Sequence, residues 1–89
     1  MVKLTPKSAV FTLALDDTVQ EVLLKGSWND WKPEVMKRKG RGEFSKTKRL
    51  KPGRYEFGYE IDGVWRVDES LPAVASPFGS QNSLLEVQG

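Results

Sequence analysis

The chain has 89 residues, with 14 Lys and Arg against 12 Asp and Glu, and it contains neither cysteine nor histidine. That length suits one domain, residues 1–89, large enough for a core and too small for a second one. Missing cysteine excludes a disulfide framework, a thiolate nucleophile and a thiol metal site; missing histidine removes the usual general base and the commonest metal ligand. Met1-Val2-Lys3-Leu4 is not followed by the apolar core of a secretory signal, and no run approaches the roughly 20 apolar residues of a membrane span. The chain reads as soluble and cytoplasmic, unless it is cut from a larger protein.

Turn signals recur roughly every 8–12 residues, the signature of an all-β sandwich of about seven strands. Ser8 to Leu15 is rich in β-formers and is closed by Asp16-Asp17-Thr18. Gln20 to Lys25 is a second strand, ended by Gly26. After Trp28, Trp31 and Pro33, a hairpin is expected from Glu34–Lys39 and Glu43–Leu50 around Gly40-Arg41-Gly42. Lys51-Pro52-Gly53 carries a type II turn signal. From Arg54 to Ile61 the alternation is the clearest in the chain: Tyr55, Phe57, Tyr59 and Ile61 share one face, and Arg54, Glu56, Gly58 and Glu60 the other. Asp62-Gly63 is a two-residue hairpin signal returning through Val64–Val67. A loop containing Pro72 and Pro77 leads to a last strand, Ser83–Val87.

Ten of the 14 Lys and Arg fall between Lys32 and Arg54, against the acids Glu34 and Glu43. This run reads either as an anion-binding stripe or as the solvated face of a hairpin that resists edge pairing.

Trp31 and Trp65 sit in or beside turns, where no core strand needs them. A turn indole is a flat apolar plate with one N–H donor, suited to a sugar ring, a base or a proline-rich peptide. In a two-residue turn Ile61 pairs with Val64 on the core face, so Trp65 pairs with Glu60 and points outward. Arg66 would then point inward unless the hairpin is short or bulged. The competing structural roles are capping of the sandwich end for Trp31 and packing against Tyr59 or Val67 for Trp65. Asn82 could form an Asx-turn ahead of the last strand, and Phe78 could plug the sandwich.

The blocks Gly26-Ser27-Trp28-Asn29-Asp30-Trp31, Leu50 to Phe57, Ile61 to Asp68 and Gly79-Ser80-Gln81-Asn82-Ser83 together resemble carbohydrate-binding module family 48. That family includes the glycogen-binding domain of the AMP-activated protein kinase beta subunit and the N-terminal module of isoamylases and branching enzymes. The resemblance spans residues 8–88 and implies an immunoglobulin-like early-set β-sandwich that holds α-1,4-glucan on an open face. It implies stacking tryptophans at Trp31 and Trp65, an apolar ring contact at Phe78, a hydroxyl at Ser80, a sugar-binding amide at Asn82 and a buried Trp28. No cofactor or metal is implied. Position 58, where binding members have Lys, is Gly here. Arg66, Lys48 or Arg54 could substitute, or the bare backbone could let a sugar sit closer; on this reading Gly58→Lys should strengthen binding.

With no recognisable acid/base pair, the expectation is a non-catalytic module and not an enzyme. It binds α-glucan, or it serves as a protein-interaction module docking on a glucan-active enzyme or kinase-type partner. Nucleic-acid binding through the Lys37–Lys51 run would instead show a steep salt dependence.

Overall fold

The computed structural model describes residues 1–6 and 8–88 and consists of strands with one 3-10 turn, Ser27–Asn29. The strands are β1 (Val2–Leu4), β2 (Ala9–Ala14), β3 (Val22–Gly26), β4 (Glu34–Val35), β5 (Lys37–Gly40), β6 (Glu43–Lys48), β7 (Gly53–Ile61), β8 (Val64–Arg66), β9 (Ala73–Ala75) and β10 (Gln81–Val87). They form two antiparallel sheets. One runs β1-β2-β6-β5, and the other runs β4-β3-β7-β10-β9 with β8 on β7.

Alternation explains the core. Phe57 and Tyr59 on β7, Val22 and Leu24 on β3 and Leu85 on β10 meet Ala9 and Phe11 on β2 and Phe44 on β6. Phe57 packs edge-on against Phe11 and Tyr59, at centroid distances of 5.1 and 5.6 Å. Tyr59 donates its hydroxyl to the buried Asp68 carboxylate at 2.7 Å, which Ser70 also bonds through its hydroxyl and N–H. Burial and the Asp68 charge push the Tyr59 hydroxyl well above the ordinary phenol value.

The sequence-based strands are found with four differences. The expected strand from Glu34 to Lys39 breaks at Met36, which is buried between the sheets and donates its N–H to the Val22 carbonyl at 2.9 Å. The chain there leaves β3 for β6, so one periodic run serves two sheets. The presumed loop before the last strand contains β9, whose Ala73–Ala75 pairs with Gln81–Ser83 as a hairpin. β1 was not anticipated, being a three-residue edge strand. Val64, expected on the core face, lies just past the hairpin turn and is 56% exposed.

Trp28 is half-buried where full burial was expected. Its ring contacts Phe11, Tyr55 and Phe57, while its outer side is covered by Lys48 Nζ, 5.5 Å from the ring centroid. Its Nε1–H donates to Glu34 at 3.1 Å, and Lys48 bonds both Glu34 oxygens at 2.7 Å. Burial works to raise the Glu34 carboxyl, but Lys48 and Trp28 outweigh it and hold it below the ordinary value.

Candidate functional site

Trp31 is lifted from the sheet by its backbone. After the 3-10 turn, Asp30 and Trp31 adopt left-handed conformations, φ 59° and 63°, uncommon for residues with a Cβ. The Trp31 N–H closes the turn onto the Gly26 carbonyl at 3.0 Å, leaving the side chain 37% exposed.

Trp65 is placed by the Asp62-Gly63 turn, whose φ values of 47° and 85° match the type expected for a two-residue hairpin. The Asp62 carboxylate accepts the N–H groups of Gln20 and Glu21, tying this turn to the start of β3. The register is Ile61↔Val64, Glu60↔Trp65 and Tyr59↔Arg66, as the turn dictates and without a bulge. Arg66 does face the other side, beside Tyr59, Ile61 and Asp68, but in an open cleft where it stays exposed.

Trp65 does not stand away from the sheet. Its indole crosses to its diagonal neighbour Gly58: a Cβ at position 58 would overlap Cζ2 of the ring and lie 2.6 Å from Cη2. The Nε1–H donates to the Gln81 carbonyl at 2.8 Å. The donor is thus spent on fixing the ring, which stays half-buried.

The third wall is the tip of the β9–β10 hairpin. Ser76 N–H donates to the Ser80 carbonyl at 2.8 Å, Gly79 N–H to the Ser76 carbonyl at 3.2 Å, and Phe78 N–H to Ser76 Oγ at 3.1 Å. Gly79 takes φ 85°. This braced turn holds Phe78 at 93% exposure, so it does not plug the sandwich. Asn82 lies within β10, paired with Val74, and does not form an Asx-turn. Only 6% exposed, it donates Nδ2–H to Glu56 Oε1 at 3.2 Å.

These walls enclose one groove of about 430 Å³, lined by Trp31, Glu56, Trp65, Ser76, Pro77, Phe78, Ser80 and Asn82. All of the residues singled out from sequence converge there: Trp31, Trp65, Phe78, Ser80 and Asn82. The two indole centroids are 6.3 Å apart, with their planes inclined by 56°. Glu56, Ser76 and Pro77 were missed. Alternation assigns Glu56 to the outer face of β7 with nothing to distinguish it from a solvated strand acid. Ser76 and Pro77 lay in what read as a plain loop.

The family model for the glycogen recognition site of AMP-activated protein kinase matches residues 9–89. The chain belongs to this family. It is 48% identical over 68 residues to Protein FLOURY ENDOSPERM 6, chloroplastic, of Oryza sativa subsp. japonica, covering 75% of this chain and 13% of that protein. It is 29% identical over 87 residues to the human 5'-AMP-activated protein kinase subunit beta-2, covering 98% of this chain and 32% of the subunit. The chain therefore spans a third or less of these relatives. Among solved structures, it superposes on the Anoxybacillus sp. LM18-11 pullulanase complexed with maltotetraose (TM-score 0.66, 22% identity, 92% of this chain and 13% of that one). It also superposes on pullulanase type I from Bacillus subtilis str. 168 complexed with maltose (TM-score 0.67, 21% identity, 96% and 12%). At these identities the likeness establishes the immunoglobulin-like sandwich fold of family 48 modules.

Gly58 departs from the lysine expected by resemblance, and the structure gives the reason. The space a side chain would fill is occupied by Trp65. A Cβ at position 58 would displace the indole from this seat, so a lysine there could not reach the groove without moving Trp65. None of the suggested substitutes lines the groove. Lys48 is bonded to Glu34, Arg54 to Glu86 at 3.1 Å, and Arg66 faces the opposite cleft. Lys25 is in register with Gly58 but pairs with Glu60 at 2.6 Å.

Proposed function

We propose that this domain binds α-1,4-glucan without catalysing its cleavage, using Trp31 and Trp65 as stacking plates, Phe78 as an apolar ring contact, and Ser80 and Asn82 as hydrogen-bonding groups. The observation that carries the reading is convergence: residues 31, 65, 78, 80 and 82, separated along the chain, line one groove. The inclined indoles fit a curved chain, whereas a flat ribbon would stack on coplanar plates. Each indole removes about 100 Å² of apolar sugar surface from water, on the order of 2 kcal/mol at ~25 cal/mol per Å² before ordering costs. Two plates and a few hydrogen bonds then correspond to a Kd of roughly 10 μM to 1 mM.

Weak single-site affinity suits a polymeric ligand, and tethering to a glucan-active enzyme or kinase-type partner multiplies it. Among the described residues the groove is lined by one carboxylate, Glu56, and acid/base cleavage of a glycosidic bond ordinarily uses two. The reading is accordingly binding without turnover. Affinity electrophoresis in glycogen or amylopectin gels tests the reading. Retardation that survives high salt and is lost in Trp31→Ala and Trp65→Ala supports it. Unretarded migration of the folded chain in every glucan overturns it in favour of a protein-interaction module.

A further inference from the structure

Resting on the glucan-binding reading, we propose that Glu56 makes this groove selective for neutral glucan over glucan carrying phosphate monoesters. Among the described residues no lysine or arginine lines the groove, and Glu56 is its one ionisable side chain. The carboxylate is not free to swing away. Its Oε1 accepts Asn82 Nδ2–H at 3.2 Å, and Asn82 itself is held in β10 beneath the groove wall. The backbone is fixed as well, since Glu56 N–H donates to Ser27 Oγ at 3.1 Å.

Among the described residues no cation in the groove lining offsets this charge. Arg54 and Lys25, which project from the same sheet face, are committed to Glu86 and Glu60. Lys32, next to Trp31 in the chain, is exposed and outside the lining. Gly58 is what keeps a cation out, because the seat of Trp65 leaves no room for a long side chain at the centre of the face.

The chemistry follows. A neutral glucose unit brings hydroxyls that donate to Glu56 as readily as they accept from Asn82. A phosphate monoester brings a charge of about −1.5 to −2 and only acceptor oxygens at neutral pH. Set against a fixed carboxylate in a partly desolvated groove, it is repelled, and the repulsion fades as salt screens it.

The experiment is isothermal titration of the full chain with maltoheptaose and with maltoheptaose singly phosphorylated on a primary hydroxyl, at low and high salt. Unphosphorylated maltoheptaose should bind about five-fold tighter at 20 mM salt, and the ratio should fall below about two-fold at 1 M. Glu56→Gln, which keeps the shape and the acceptor for Asn82, should bring the two ligands within about two-fold of each other at either salt concentration. Equal affinities in the native chain, or a ratio that persists in Glu56→Gln, overturn the selectivity while leaving glucan binding standing. Absence of binding by either ligand, or maltoheptaose binding indifferent to Trp31→Ala and Trp65→Ala, overturns the glucan reading and the selectivity with it.

Discussion

Two tryptophans in this domain are each laid on a strand glycine, and they end in opposite circumstances. Trp28 rests on Gly26, where a Cβ would come within 2.5 Å of Cζ2; Trp65 rests on Gly58 in the same way. Gly26 and Gly58 belong to the neighbouring strands β3 and β7 of one sheet. Trp28 turns toward the core, where Phe11, Tyr55 and Phe57 cover it and Glu34 takes its N–H. Trp65 turns to the outer face, its N–H anchored on Gln81 and its open side looking into the groove beside Trp31. The same packing device is structural where both ring faces are covered and leaves an open plate on the groove where one is bare. What decides between them is the pleat, which sends alternate residues to opposite faces.

The comparison breaks most visibly in stability. Trp28→Ala should cost about 3 kcal/mol in chemical denaturation, because it empties an aromatic cluster. Trp65→Ala should cost only about 1 kcal/mol. Equal losses would show that Trp65 is also a core residue. In glucan binding the order reverses: Trp65→Ala or Trp31→Ala should weaken maltoheptaose binding about 30-fold by calorimetry, one stacking plate's share.

A smaller effect sharpens the glycine half of the pair. Gly58→Ala should weaken glucan binding about five-fold and alter near-ultraviolet circular dichroism as the indole tilts, yet change nothing in a Trp65→Ala background. A five-fold loss that persists without the indole would show that Gly58 acts through something other than its tryptophan.

The smallest effect concerns pH. Burial works to raise the Asp68 carboxyl, but the Met1 amino group at 2.6 Å together with Ser70 and Tyr59 outweighs it and holds the group below the ordinary aspartate value of 3.8. The folded state thus favours the ionised form. Its contribution is full above pH 3.8 and is lost as pH falls through the lower folded value. The loss should be visible as a fall in Tm between pH 6 and pH 3, and the fall should be smaller in Asp68→Asn.

How much of this was legible in the sequence depends on the range of the interaction. The alternation of Tyr55, Phe57, Tyr59 and Ile61 and the Asp62-Gly63 turn fixed the face and the register of Trp65, because both are local. The contact between Trp65 and Gly58 was within reach of the same register, since Gly58 is the diagonal neighbour of Trp65 and offers no side chain to fill the space. Met36 was out of reach: periodicity reports one strand, and only the facing sheet shows that the chain changes partner there. β9 escaped because Ala73-Val74-Ala75 is too short to announce itself beside two prolines, and with it went Ser76 and Pro77. Glu56 was assigned its face from alternation, but its bond to Asn82 joins strands 26 positions apart.

The central claim is that two inclined indoles and the Phe78 turn form one glucan-binding groove. Calorimetric titration of the folded native chain, Trp31→Ala, Trp65→Ala and Phe78→Ala with maltoheptaose tests it most directly. Micromolar-to-millimolar binding by the native chain, strongly weakened in each variant with the fold intact, is the expected result. Native affinity retained when either indole is removed would contradict it.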